Sequence, residues 1–146
     1  PGTIVVDPYA RFLYHVMEGG EAMRFGIAVG QAGKNFQGTA TINRKQAWPS
    51  WTPTKAMIAR DPDHYAKYAD GMPGGPKNPL GARALYLFNE NGADTFLRIH
   101  GTPEPWTIGT AVSNGCVRLA NPHITELYDQ VELGAPVLLL PKVESA

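Results

Sequence analysis

Seven short apolar segments, none longer than seven residues, limit this chain to a fold built mainly from strands. Residues 3–6, 12–17, 23–29, 36–42, 84–88, 95–99 and 137–140 are rich in β-branched and aromatic side chains, which suit a pleated and half-buried surface. Glu18-Gly19-Gly20-Glu21 supplies a hairpin turn between the second and third segments, and Asn89-Glu90-Asn91-Gly92 supplies one between 84–88 and 95–99. One stretch breaks the pattern. Ile124, Leu127, Tyr128 and Val131 fall at i, i+3, i+4 and i+7, which lays an apolar stripe along a helix. Asn121-Pro122 predicts its cap and first position, while Gly134 and Pro136 end it.

Residues 43–81 interrupt the strands as a long insertion. Thr52-Pro53 and Asp61-Pro62 each place a capping side chain before a helix-starting proline, so short helices are expected over 53–60 and 62–68. Gly or Pro then occupies seven of the eleven positions from 71 to 81, which makes that stretch a shaped loop. Trp48, Trp51, Met57 and Tyr65 give the insertion apolar mass with which to dock, as a lid or binding loop requires.

With 146 residues, 43% of them hydrophobic and 18% charged, the chain can bury a sizeable core and reads as one domain, 1–146. No apolar run approaches the roughly 18 to 20 residues of a membrane-spanning helix. Thirteen basic residues balance thirteen acidic ones without a dense Lys/Arg cluster, which argues against a nucleic-acid partner. The four histidines have no partners at ligand spacing, so no metal or other cofactor is expected. The chain starts at Pro1 with no charged-then-apolar leader, and the expectation is a trimmed product whose export signal is absent from it.

Cys116 is the single cysteine, so it can form neither an internal disulfide nor a multi-cysteine zinc site. Sixteen positions upstream, His100 follows the apolar segment 95–99 and precedes Gly101-Thr102-Pro103, which stops a strand. A free thiol, with pKa about 8.5, is mostly protonated at neutral pH, so a nucleophilic cysteine needs a neighbouring imidazole to take its proton. Gly115 lets the backbone turn sharply enough to aim the N–H groups of Gly115 and Cys116 at one point, as an oxyanion hole requires. Taken singly, the same two residues fit a buried apolar cysteine and an ordinary histidine at a strand end. Trp106 lies between the two motifs and is expected to line a groove; Trp48 and Trp51 fit either core or groove.

The longer strings separate these readings. Ile99-His100-Gly101-Thr102-Pro103-Glu104-Pro105-Trp106-Thr107-Ile108-Gly109, followed by Ser113-Asn114-Gly115-Cys116-Val117-Arg118-Leu119, closely resembles the signature of the L,D-transpeptidase (YkuD) catalytic domain. The segment from Met72 to Tyr86 is similar to Gram-negative members. The resemblance implies a mainly β, two-sheet sandwich with one C-terminal helix, in which the 43–81 insertion caps the site. It implies that Cys116 is the nucleophile, His100 its proton partner and the Gly101 carbonyl the group that orients the ring. Ser113, Asn114, Arg118, Trp106 and Met72 would contact substrate. Asn114 stands where many members carry a second histidine, and Arg118 matches an arginine suited to a stem-peptide carboxylate.

The activity so implied is acyl transfer on peptidoglycan stem peptides in the periplasm or cell envelope. Cys116 attacks the carbonyl of the diamino acid in a tetrapeptide stem, D-alanine leaves, and an amine takes the acyl group to form a 3-3 cross-link. A β-lactam of the carbapenem type would add to the same thiol. Three other readings stay open at this level: attachment of an outer-membrane protein or lipoprotein to the wall, transfer to water by a carboxypeptidase, and a wall-binding module without catalysis. A cytosolic thiol amidase fits the Cys/His pair alone and leaves the Pro-Trp-x-Ile-Gly element unexplained.

Overall fold

The computed structural model describes residues 1–30, 38–53, 55–110 and 117–140. Ser113, Asn114, Gly115 and Cys116 lie outside the described residues.

Among the described residues there are nine strands: β1 (Ile4–Asp7), β2 (Phe12–Val16), β3 (Ala22–Gly26), β4 (Ala28–Val29), β5 (Gly38–Ala47), β6 (Arg83–Phe88), β7 (Asp94–His100), β8 (Val117–Arg118) and β9 (Pro136–Leu139). They form one hydrogen-bonded sheet in the order β3-β2-β1-β9-β5-β6-β7-β8-β4. The pairs β1·β9 and β7·β8 are parallel; the others are antiparallel. The two end strands, β3 and β4, are joined through Ile27 alone, so the sheet closes on itself through the chain around a buried core. The expected mainly β architecture is thus met by a single continuous ladder whose halves face each other.

Alternation sets the core in the outer strands. Ile4 and Val6 of β1 and Leu13 of β2 are buried, with their sequence neighbours less so. β6 differs, because Ala84, Leu85, Tyr86 and Leu87 are all buried. A helix covers the other face of that strand: α3 (Asn121–Gln130) packs on β6 through its buried Ile124 and Leu127.

The structure corrects four details of the sequence reading. Residues 23–29 are not one strand: at Ile27 the chain changes partner, from β2 to β8, and Ile27 N–H donates to the Arg11 carbonyl while its own carbonyl accepts from Gly109. β5 runs on to Ala47, five residues into the stretch assigned to the insertion, because its ladder with β6 continues to the Ala47–Arg83 pair. Asp61 makes no side-chain cap bond at α2 (Pro62–Tyr65). Nor does Asn121 cap α3, whose N-cap is Ala120.

Asn121 does something else. Its Oδ1 accepts from the backbone N–H of Ala82 at 3.0 Å and of Thr102 at 3.1 Å, tying the start of β6 and the segment after β7 to the first turn of α3. The junction is tight enough to exclude side chains: a Cβ on Gly101 would collide with Asn121 Oδ1, and one on Gly81 with the Gly101 carbonyl carbon. Gly81 also has φ of +65°, which disfavours any other residue.

The insertion is ordered by its own bonds. Trp51 and Met72 form an antiparallel bridge, with N–H to O=C distances of 2.9 and 2.6 Å. Buried Asn78 donates through Nδ2 to the carbonyls of Met72 and Pro73, and its Oδ1 accepts from Leu80 N–H. α1 (Lys55–Arg60), α2 and the 3-10 turn Ala66–Tyr68 follow Trp51, whose ring meets those of Tyr65 and Tyr68 at 6.1 and 6.4 Å. Met57 of α1 is buried.

Asn121→Ala leaves two partly buried N–H donors without an acceptor and is expected to cost about 2–4 kcal/mol, read as a lower urea midpoint. Asn121→Asp keeps the acceptor and should cost less than half as much; equal losses for the two variants would refute the role given to Oδ1.

Candidate active site

His100 is the last residue of β7, held between Ala84 of β6 and Arg118 of β8. It is 1% exposed. Its Nδ1 lies 2.6 Å from the Gly101 carbonyl oxygen, and because a carbonyl can only accept, Nδ1 carries the proton. In the neutral ring, Nε2 is then the basic nitrogen. Nε2 is buried and has no hydrogen-bond partner among the described residues. Burial pushes the imidazole down to about 4; the Gly101 contact opposes this, and the charges of Arg118 and Arg98 add to it. The ring is therefore uncharged at neutral pH, fixed in orientation and able to accept a proton.

His100 lines a groove of about 620 Å³. The insertion contributes Trp51, Met57, Tyr65, Tyr68 and Met72 to its walls, together with Lys67 and Lys77. The segment after His100 contributes Pro103, Glu104 and Thr107, and β8 contributes Arg118. Two of the residues expected to meet substrate, Met72 and Arg118, are thus brought together with His100. Trp106 is not: it stands 75% exposed on the 3-10 turn Pro105–Thr107, outside the lining, although its neighbours Glu104 and Thr107 belong to it. Among the described residues the groove is thus lined on this side by Glu104 and Thr107, with the Trp106 indole exposed beside them. Trp48 is likewise half exposed, and Trp51 belongs to the groove.

Val117, the residue after Cys116 in the sequence, pairs with Ile99, the residue before His100. The parallel β7·β8 pairing therefore brings the two sequence motifs into neighbouring strands. Of the remaining histidines, His15 and His123 lie apart from this groove. His15 borders a second cavity of about 530 Å³, His123 packs its ring 5.6 Å from that of Phe25, and exposed His64 lines the main groove from the insertion.

Sequence reasoning missed Tyr68, Lys67, Lys77 and Glu104 as groove residues and Asn121 as the tie behind the Gly101 carbonyl. Asn-Pro at a helix start carries the same sequence signal whether the side chain caps the helix or reaches across to another segment. The lysines carry no pattern of their own.

The L,D-transpeptidase catalytic domain family, YkuD, matches residues 1–139. The chain is 34% identical over 145 residues to the probable L,D-transpeptidase ErfK/SrfK of Escherichia coli K12, covering 95% of this chain and 44% of that protein. Among solved structures it is similar to a probable carnitine operon oxidoreductase from Brucella melitensis, with 54% identity, a TM-score of 0.66, and coverage of 100% of this chain and 86% of that one. It also shares its fold with L,D-transpeptidase 3 from Mycobacterium tuberculosis in complex with a faropenem-derived adduct, at 17% identity and TM-score 0.62, covering 94% and 59% of the two chains. The Brucella protein's name points to a different chemistry, and the assignment rests on the family match and the Escherichia coli relative. The chain belongs to the L,D-transpeptidase catalytic domain family. It spans less than half the length of that Escherichia coli relative.

The unfolded-state histidine, near 6.5, takes up its proton before buried His100, near 4, does so. Stability is therefore full above pH 6.5 and falls as the pH drops toward 4, by on the order of 3 kcal/mol from this group. Urea midpoints of the parent and of His100→Gln across this window test it: the variant's curve should be flatter, and parallel curves would remove the linkage.

Proposed function

We propose that this domain catalyses acyl transfer on peptidoglycan stem peptides through a thioester on Cys116, in the cell envelope of the bacterium that exports it. The observation that carries the reading is His100, with Nδ1 fixed on the Gly101 carbonyl, Nε2 unpartnered among the described residues and the ring lining the groove. A buried, neutral imidazole with one committed nitrogen is what a thiol nucleophile needs as its base.

In the forward half, Nε2 takes the Cys116 proton and sulfur attacks the carbonyl of the diamino acid in a tetrapeptide stem. The backbone N–H groups of Gly115 and Cys116 hold the oxyanion. The tetrahedral intermediate collapses, and the proton passes from His100 to the departing D-alanine amine. In the second half an amine attacks the thioester, its proton goes through His100 to sulfur, and a 3-3 cross-link and free thiol result. No cofactor is required. Lys67, Lys77 and Arg118 give the groove a cationic lining, which suits a stem peptide bearing several carboxylates. Arg118 borders His100 in the sheet and would hold one of those carboxylates beside the reacting bond. The insertion lines the groove with its aromatic residues and would, as a lid, keep water from the thioester. A β-lactam that adds to the family thiol would acylate Cys116 in the same way. An outer-membrane protein or lipoprotein would be an alternative acceptor for the same acyl group.

The test is mass spectrometry of disaccharide-tetrapeptide incubated with the protein and with its Cys116→Ala variant. A dimer lighter than two monomers by one alanine is expected only with the thiol present, with His100→Ala slower by about 10²–10⁴-fold. Tripeptide monomer alone would assign a carboxypeptidase. Turnover above a few per cent in Cys116→Ala would overturn the nucleophile, and no product with the parent protein would overturn stem-to-stem transfer.

A further inference from the structure

The charges around the groove are uneven. Among its described lining residues Lys67, Lys77 and Arg118 are cationic, and Glu104 is the one carboxylate. Glu104 lies four residues after His100 and is held there by its backbone. Its N–H donates to Thr102 Oγ1 at 3.0 Å, and its carbonyl accepts from Thr107 N–H at 3.0 Å and Thr107 Oγ1 at 2.8 Å. Thr102 is in turn fixed by Asn121. The Glu104 carboxylate makes no ion pair among the described residues, in which Asp94 pairs with Arg98. A carboxylate side chain is thus carried by a fixed backbone on the histidine side of a groove whose lysines and arginine otherwise suit anions.

We infer that Glu104 binds the ammonium group of the acceptor stem's diamino acid and so selects an amine over water and over uncharged nucleophiles. The inference rests on the acyl-transfer reading above and names the residue that chooses its acceptor. An acceptor amine arrives protonated, and a groove lined by cations alone would repel it. A carboxylate on the loop that carries His100 raises the local concentration of that ammonium next to the group that takes its proton. The transfer itself is unchanged: the amine nitrogen forms the new amide bond, the thioester C–S bond breaks, one proton goes through His100 to sulfur and the other ammonium proton goes to solvent. Glu104 supplies attraction and position and is not consumed.

The experiment is a partition measurement with disaccharide-tetrapeptide as donor and two competing nucleophiles, disaccharide-tripeptide as the ammonium-bearing acceptor and hydroxylamine, which is uncharged at neutral pH. The ratio of cross-linked dimer to hydroxamate is read by mass spectrometry for the parent, Glu104→Gln and Glu104→Asp. Glu104→Gln should lower the ratio about fivefold, with Glu104→Asp recovering part of it. Raising salt should lower the parent's ratio and leave that of Glu104→Gln unchanged or raised, because screening removes the attraction to Glu104 in the parent and, in the variant, only the repulsion from Lys67, Lys77 and Arg118. An unchanged ratio in Glu104→Gln overturns the inference, and so does a parallel fall of both products, which marks a structural role. If the parent protein forms neither product and releases no D-alanine, the acyl-transfer reading fails and the inference falls with it.

Discussion

The Oδ1 of Asn121 accepts two backbone hydrogen bonds, and three segments that meet behind the His100 loop are joined at that atom. Ala82 begins the approach to β6, Thr102 follows the histidine loop, and Asn121 opens the helix that covers β6. Glycine at 81 and 101 is the condition for such close approach, since a methyl group at either position would strike this junction. The Gly101 carbonyl that holds His100 Nδ1 is therefore positioned by packing behind it, and the ring's orientation follows from the fold.

Burial then sets the chemistry. A histidine at the end of a central strand, with arginines on the neighbouring strand and its own, is kept uncharged by desolvation first and by repulsion second. The same burial is expected to make the protein sensitive to acid, so one placement leaves an unprotonated ring nitrogen at neutral pH and predicts a loss of stability below pH 6.5. The chain's overall neutrality conceals a groove lined by three permanent cations and one carboxylate, an asymmetry that composition averages away.

Much of the fold was legible because alternation is local. The apolar residues of β1, β2 and β9, and the stripe of α3, lie where period 2 and period 3.6 put them. What was not legible depends on distant partners. Residues 23–29 read as one strand because each side chain suits a strand; the break at Ile27 arises from the exchange of β2 for β8, which no local pattern encodes. Asn121 read as a helix cap because its local signal is that of a cap, whereas its acceptor is used by residues 39 and 19 positions away in the chain. At the site, His100, Gly101, Met72 and Arg118 were visible through a motif, and the structure brings His100, Met72 and Arg118 to one groove. Tyr68, Lys67, Lys77 and Glu104 carry no motif and became groove residues only through the folding of the insertion and the Pro105–Thr107 turn. Trp106 shows the converse, a motif residue that the same turn leaves exposed.

The most direct test of the central claim is the nitrogen-15 spectrum of His100, assigned by comparison with His100→Gln and followed from neutral pH down to pH about 4. A neutral ring protonated at Nδ1, with an unprotonated Nε2 that gains its proton only near the bottom of that range, is the predicted result. A ring protonated at Nε2, or an imidazolium already present at pH 7, would contradict the account of His100 as a buried, oriented base.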